Sequence, residues 1–318
     1  SITILMKDAT FIGKYFYDIS IKTGAKYKEY YIEGKQPPLI LKLSYRLCNY
    51  FVLKNIKKLL GLNKCRYALS GAAPISPELI NWYLSLGIDM REGWGMTETA
   101  GVGTAFYSRE IKLGHVGRAV NQSEVRIADD GEILFKGPGV FCGYLNKPEQ
   151  TKETLIDGWL HTGDVGEMDN YGNIKITDRK KDIIITAGGK NISPSEIENE
   201  LKFSPFVSDA VVIGDKRKFL SCLIMIDEEN VMKYAQDNDI PFSNFESLCK
   251  SEEVVNLIDG EVSKVNKKFA SVEQVKKFSL IDIQLTAEDD ELTPTMKLKR
   301  KFINQKYSNI IENMYQSA

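Results

Sequence analysis

Long hydrophobic runs, paired cysteines, histidine and net charge are all in short supply here, and each shortage removes a class of function. No apolar run reaches the roughly 18 residues that span a bilayer, so no transmembrane segment is expected. The opening stretch Ser1-Ile2-Thr3-Ile4-Leu5-Met6-Lys7-Asp8 has no charged segment followed by a cleavage site, which predicts a cytoplasmic rather than a secreted protein. The five cysteines, Cys48, Cys65, Cys142, Cys222 and Cys249, are widely spaced and never form a CxxC pair. That pattern argues against a disulfide framework or a zinc site and predicts reduced thiols, most of them serving as core hydrophobes. His115 and His161 are the only histidines and lie far apart, so neither a metal cluster nor a histidine relay is expected. With 42 basic and 43 acidic side chains the net charge is −1. No overall field draws the molecule to nucleic acid or to an anionic surface, and any anion site must be local.

What is present is a globular composition. The 318 residues are 43% apolar and 27% charged, enough to bury cores and, by length, to form about two domains. Residues 1–63 read as helical, with Leu39, Leu43, Leu47 and Phe51 at helical spacing beside Tyr50 after Pro37-Pro38. Two readings stay open for that stripe. It packs on the protein's own core, or it lies on a membrane surface with Lys42, Arg46, Lys54, Lys57 and Lys58 as its basic rim. Cys65 to Leu69 reads as a buried strand that leads through Ser70-Gly71-Ala72-Ala73-Pro74 into a helix capped by Ser76 with Pro77 at its first position. A second strand at Gly87–Glu92 ends in Gly93-Trp94-Gly95-Met96-Thr97-Glu98, and loops at the ends of neighbouring strands are where an α/β sheet puts its ligand. From Gly114 to Thr177 short alternating strands and tight turns predict a β-rich region. Beyond it a smaller α+β domain starts near Asp182, with a capping box at Ser193–Glu196 and two strands within Asp209–Asp227.

The densest stretch is Gly158-Trp159-Leu160-His161-Thr162-Gly163-Asp164, then Asp178-Arg179-Lys180-Lys181-Asp182, then Gly188-Gly189-Lys190-Asn191-Ile192-Ser193-Pro194-Ser195-Glu196. A carboxylate such as Asp164 on a tight turn can accept two hydroxyl hydrogen bonds from a ribose diol, although alone it would only stabilise the turn. Arg179 offers a rigid fork of donors to ribose or phosphate, although alone it would be a surface ion pair. Glu98 is a hard oxygen ligand suited to magnesium.

Five segments, Gly93–Glu98, Gly131–Tyr144, Thr162–Asp164, Asp178–Glu198 and Thr293–Arg300, resemble in wording and order the adenylate-forming (AMP-binding) enzymes, most closely the long-chain fatty acyl-CoA synthetases. The resemblance implies an α/β large AMP-binding domain with a β-rich subdomain, followed by a small mobile α+β domain. Residues 1–181 correspond to the back part of the large domain, with the β-rich subdomain at about 111–178, and 182–318 to the small lid, hinged at Lys181. The implied reaction uses ATP to turn a long-chain carboxylate into an acyl-adenylate and then passes the acyl group to coenzyme A. By the same resemblance Ser70, Gly71, Ala72 and Ala73 line one side of the adenine, Trp94 with Gly95 offers the stacking platform, and Thr97 holds the α-phosphate. Glu98 holds Mg2+, Asp164 and Arg179 hold the ribose, and Lys297 reaches the α-phosphate as the catalytic cation. Gly188 and Gly189 leave room for the pantetheine arm of coenzyme A.

One feature of such enzymes is not found in residues 1–66, a Ser/Thr/Gly-rich loop ending in lysine that holds the outer phosphates of ATP. The expectation is therefore a chain with a truncated large domain, whose activity alone is in question. The alternatives are a non-catalytic nucleotide- or CoA-binding module and, within enzymes, a luciferase-like or peptide-synthetase adenylation unit. Met296 in place of the usual glycine before Lys297 leans toward the long-chain group. Fatty acid, ATP and CoA are the expected partners, with peripheral membrane contact in view and nucleic acid excluded.

Overall fold

The computed structural model describes residues 10–72, 75–107, 111–283 and 299–316. The chain divides between Lys181 and Asp182 into two compact units.

The first unit opens with three helical segments. Helix α1 (Phe11–Ile32) is capped by Thr10, whose hydroxyl accepts the Gly13 N–H at 3.2 Å. Helix α2 (Leu39–Cys48) starts directly after Pro37-Pro38 and runs through a π turn (Asn49–Leu53) into α3 (Lys54–Leu59). The face that packs carries Tyr45, Cys48, Leu53 and Ile56, which close on Leu86 and Ile88. The stripe that spacing suggested as core is on the outside instead: Leu39 is 82% exposed, Leu43 58%, Leu47 54%, Tyr50 69% and Phe51 66%. Apolar residues lie on both sides of this helix, so spacing alone could not choose the buried one. Lys57 turns inward, donating to Asn49 Oδ1 at 3.1 Å, and its loss of water pushes its ammonium pKa down.

Strand β1 (Tyr67–Ser70) pairs in parallel with β2 (Asp89–Glu92), joined by helix α4 (Pro77–Ser85). Ser76 caps α4 by accepting the Leu79 N–H at 3.1 Å, and Pro77 takes the first position. The register Ser70↔Glu92 ends both strands at one level, so the loops that follow them emerge side by side. A short antiparallel pair follows, β3 (Thr104–Ala105) with β4 (Arg118–Ala119). A five-stranded antiparallel sheet completes the unit. Its strands are β5 (Glu124–Ile127), β6 (Glu132–Lys136), β7 (Leu155–Ile156), β8 (Trp159–Met168) and β9 (Ile174–Arg179), with α5 (Pro148–Thr154) leading into β7. β8 is the organiser, pairing with β6 on one side and with β7 and β9 on the other. Ile133, Phe135, Leu160 and Ile174 form the core beneath it, together with Trp94.

The second unit begins with the hairpin β10 (Ile184–Ile185) and β11 (Asn191–Ile192), then α6 (Pro194–Lys202). Ser193 occupies the N-cap position, but its hydroxyl makes no cap bond, so the expected capping box does not form. The central sheet sets β12 (Val207–Ile213) antiparallel to β13 (Leu220–Ile226), which runs parallel to β14 (Val275–Leu280). All seven residues of β13 are buried, as expected for a strand covered on both faces. Helices α7 (Glu228–Asp237), α8 (Phe245–Lys250) and α9 (Glu252–Asn266) belong with α6 to one core, while α10 (Arg300–Lys306) and α11 (Ser308–Gln316) supply the other. Of the five cysteines only Cys222 and Cys249 are buried core members, and burial pushes the Cys249 thiol up to about 12. Cys48 and Cys65 are half-buried and pack against the core around Leu53, Leu86 and Ile88, so only Cys142, which is exposed, departs from the expected core role.

Candidate nucleotide site

Three segments far apart in sequence converge midway along β8. Asp164 pairs across the sheet with Arg179 of β9, and the Arg179 Nε stands 3.4 Å from its Oδ1. The Trp94 indole Nε1 donates to Asp164 Oδ2 at 2.8 Å. The Thr162 hydroxyl accepts the Asp164 N–H at 3.1 Å and donates to the Ile133 carbonyl at 2.7 Å, which fixes an irregularity within β8, with Gly163 at φ +71°, where a tight turn was expected to present the carboxylate. Asp164 is buried whereas the Arg179 side chain is 55% exposed, so a fixed acceptor stands beside an accessible cation.

Trp94 differs from expectation. Its ring is buried, edge-on to Phe135 at 6.1 Å, and does not offer an open flat face. A Cβ on Gly103 would lie 2.6 Å from the indole, so only glycine lets that strand pass the ring. The ring is drawn inward because burial satisfies its apolar body while Asp164 satisfies its N–H.

The loops beside it carry the remaining candidates of this unit. Ser70 is half-buried and its carbonyl accepts the Gly93 N–H at 2.9 Å; Gly71 and Ala72 are exposed, and Ala73 lies outside the described residues. Gly95 closes on Gly101. Thr97 is exposed at the start of a 3-10 turn (Thr97–Thr99), and Glu98 next to it accepts the Tyr144 hydroxyl through Oε1 at 2.8 Å. Among the described residues no group of three or more His, Cys, Asp or Glu could hold a metal ion. A single carboxylate with Oε2 to offer suits an ion held mainly by substrate phosphates and water, as magnesium usually is.

Three residues here went unassigned in the sequence. Glu132 accepts the Gly163 N–H at 2.9 Å, the Lys180 ammonium at 3.0 Å and stands 3.2 Å from His161 Nδ1. Burial alone would raise its pKa, but those three contacts outweigh it and hold the carboxyl below its ordinary value. It therefore braces the irregular part of β8 before Asp164 against the end of the strand that carries Arg179. Glu92, buried, accepts the Ile75 N–H at 3.3 Å and so links the end of β2 to the loop after β1; burial pushes it up to about 7. Tyr144 completes the set through Glu98. The segment Gly131–Tyr144 marked two of the three in sequence, yet nothing in its pattern told a brace from a ligand.

Lys181 is exposed at the last position of this unit. Gly188 and Gly189 belong to the second unit, exposed at the tip of the β10–β11 hairpin. There Gly189 has φ +75° and donates to the Thr186 carbonyl at 2.8 Å. Lys297 lies outside the described residues.

Residues 25–145 match the AMP-binding enzyme family, and residues 181–318 match the AMP-binding enzyme C-terminal domain. The chain belongs to the AMP-binding enzymes. Among curated relatives it is similar to the long-chain-fatty-acid–CoA ligase FadD15 of Mycobacterium tuberculosis, 38% identical over 280 residues that cover 88% of this chain and 46% of that protein. The long-chain-fatty-acid–CoA ligase ACSBG2 of Gallus gallus is 36% identical over 300 residues, 87% of this chain and 39% of that one. This AMP-binding chain thus spans about half the length of the curated relatives it matches, or less. Among solved structures, O-succinylbenzoate coenzyme A synthetase from Bacillus subtilis in complex with ATP and magnesium aligns with TM-score 0.57 at 28% identity, over 74% of this chain and 46% of that one. The adenylation domain of a carboxylate reductase from Mycobacterium chelonae aligns with TM-score 0.65 at 21% identity, over 94% and 46%, a likeness of fold.

Proposed function

We propose that this chain carries the nucleoside-holding part and the small domain of an AMP-forming long-chain fatty acid–CoA ligase. The junction of Trp94, Asp164 and Arg179 supports this reading most directly, because it joins an indole, a carboxylate and a guanidinium from three separate motifs. Asp164 accepts the ribose hydroxyls, Trp94 fixes that carboxylate through its indole N–H, and Arg179 turns its exposed donors to ribose or phosphate oxygen. The loop Ser70–Ala73 borders the adenine with Gly95, and Thr97 donates to the α-phosphate. Glu98 is the residue that would hold a magnesium ion, whose contribution is to offset the charge of the phosphates.

In the first step a carboxylate oxygen of the fatty acid attacks the α-phosphorus of ATP, the bond to the bridging oxygen breaks, and pyrophosphate leaves. Lys297 is the cation assigned to the charge that develops there. In the second step the thiol sulfur of coenzyme A attacks the acyl carbon, the carbon–oxygen bond to AMP breaks, and the thiol proton passes to solvent. Gly188 and Gly189 leave passage for the pantetheine arm, and Lys181 is the pivot that exchanges the two steps. Fatty acid, ATP and coenzyme A are the substrates on this reading. The setting is the cytoplasm with attachment to a membrane surface from one side, and nucleic acid has no part.

The test is pyrophosphate exchange into ATP with palmitate, measured beside AMP binding by calorimetry. Exchange that Lys297→Ala lowers about 10²–10³-fold, with thioester formation from pre-made acyl-adenylate retained, is the expected result. A second reading is a nucleotide-binding module without adenylation. AMP binding with no exchange would establish that reading instead, and absence of AMP binding would overturn both.

A further inference from the structure

We propose that Arg217, held by the last helix of the second unit, is a positioning residue for the hairpin that carries Gly188 and Gly189. Strands β10 and β11 pair through two residues each. A two-stranded ribbon of that length does not hold its own shape in water. Its tip, Ala187 to Lys190, is exposed, so its place is set from outside. The turn between β12 and β13 sets it. The Lys216 N–H donates to the Ile185 carbonyl at 2.8 Å, Asp215 Oδ1 accepts the Ile185 N–H at 3.2 Å, and the Arg217 carbonyl accepts the Ala187 N–H at 2.9 Å. The last of these bonds falls on the residue directly before Gly188.

That turn is itself fastened. Lys216 sits at φ +57°, a left-handed conformation that a lysine adopts where its surroundings impose it. The side chain of Arg217 supplies the fastening. Nη1 donates to Glu312 Oε2 at 3.1 Å, Nη2 donates to Oε1 of the same carboxylate, and the guanidinium lies over the Tyr315 ring at 4.7 Å. The Tyr315 hydroxyl shares its proton between the Ile213 and Phe219 carbonyls, each at 3.1 Å, one at either end of the turn, and accepts the Ser221 hydroxyl at 3.0 Å. Glu312 and Tyr315 belong to α11, which Ile311 and Met314 seat on β12 and β13. A path therefore runs from a packed helix through one guanidinium to the amide before the glycine pair. A partly exposed ion pair contributes little to stability, but a bidentate pair stacked on a ring fixes direction. Direction is what a hairpin needs if it is to meet a narrow pantetheine arm. This role rests on the reading of Gly188 and Gly189 as the passage for coenzyme A.

The test takes the full 318-residue chain with pre-made palmitoyl-adenylate and varied coenzyme A, beside amide hydrogen exchange at Ala187. Arg217→Ala should raise KM for coenzyme A at least about tenfold, with AMP affinity and melting temperature close to wild type. Glu312→Ala should give the same loss, and the two substitutions together should add little to either alone, because both cut one path. Exchange at the Ala187 amide should quicken in each variant. An unchanged KM for coenzyme A in Arg217→Ala, or an equal loss of AMP affinity, would overturn the proposal. A wild-type chain that forms no thioester would instead remove the coenzyme A reading. In that case faster Ala187 exchange in Arg217→Ala would keep Arg217 as the anchor of the hairpin, and unchanged exchange would overturn that as well.

Discussion

Among the carboxylate–guanidinium pairs of the chain, Glu198–Arg300 in the second unit and Asp164–Arg179 in the first are built to opposite ends. In the second unit Glu198 is buried and takes the Arg300 Nη2 through both oxygens at 2.7 and 2.8 Å; it also takes the Val212 N–H at 2.7 Å, while Arg300 Nη1 donates to the Val212 carbonyl at 2.9 Å. In the first unit the Arg179 Nε stands 3.4 Å from Asp164 Oδ1 and the guanidinium side chain stays half in solvent. A guanidinium has five donors, and a site that consumes them on the protein has little left for a ligand. The difference teaches that geometry, not residue type, separates a structural clamp from a binding pair.

The strongest way to break this contrast is Glu198→Ala. It strands the Arg300 charge beside a buried carbonyl and should cost about 3–5 kcal/mol of stability in urea unfolding of the full chain. A loss under about 1 kcal/mol would show that the clamp is not the fastening its geometry describes.

Glu92 sharpens the contrast as a buried carboxyl with a single backbone donor and no cation among the causes of its shift. Burial lifts it from 4.5 to about 7. The folded state therefore holds the proton more tightly than the unfolded chain. Its contribution to stability is fully present below about pH 4.5, declines as pH rises, and is wholly lost above about pH 7. That shift corresponds to about 3 kcal/mol across the window. Glu92→Gln should flatten the dependence of unfolding free energy on pH between 4 and 8 and leave the variant the more stable at pH 8. A wild-type profile that is already flat would remove Glu92 from consideration.

These three carboxylates also show how far the sequence could be read. Asp164 and Arg179 could be named because a short motif places both on adjoining strands, and period-two alternation made the strands themselves legible. The order β1–α4–β2 was equally readable, since Ser76, Pro77 and the small residues after β1 punctuate it, but the burial expected of β1 was not: Tyr67 and Leu69 are exposed. Glu92, Glu132 and Glu198 could not be ranked, because burial and partners come from segments between 14 and 102 residues away. Trp94 was misjudged for the same reason: flanking glycines permit an exposed ring, but Phe135 and Asp164, which draw it inward, are supplied by another sheet. The stripe at Leu39–Phe51 failed differently, because a helix apolar on two sides gives one periodicity and two possible insides.

The smallest expected effect on stability is the most telling one for function. Arg179→Ala removes a half-exposed guanidinium whose contact with Asp164 is long and open to water, so stability should fall by less than about 1 kcal/mol. If those donors serve a nucleotide, AMP affinity should nonetheless drop about tenfold or more in calorimetry, equivalent to about 1.4 kcal/mol. Arg179→Lys should recover only part of it, because an ammonium keeps the charge but not the planar fork. The two readouts move apart only for a ligand-facing side chain. A variant that loses stability and keeps its AMP affinity would make Asp164 and Arg179 a second structural clamp, and the distinction between the two units would collapse.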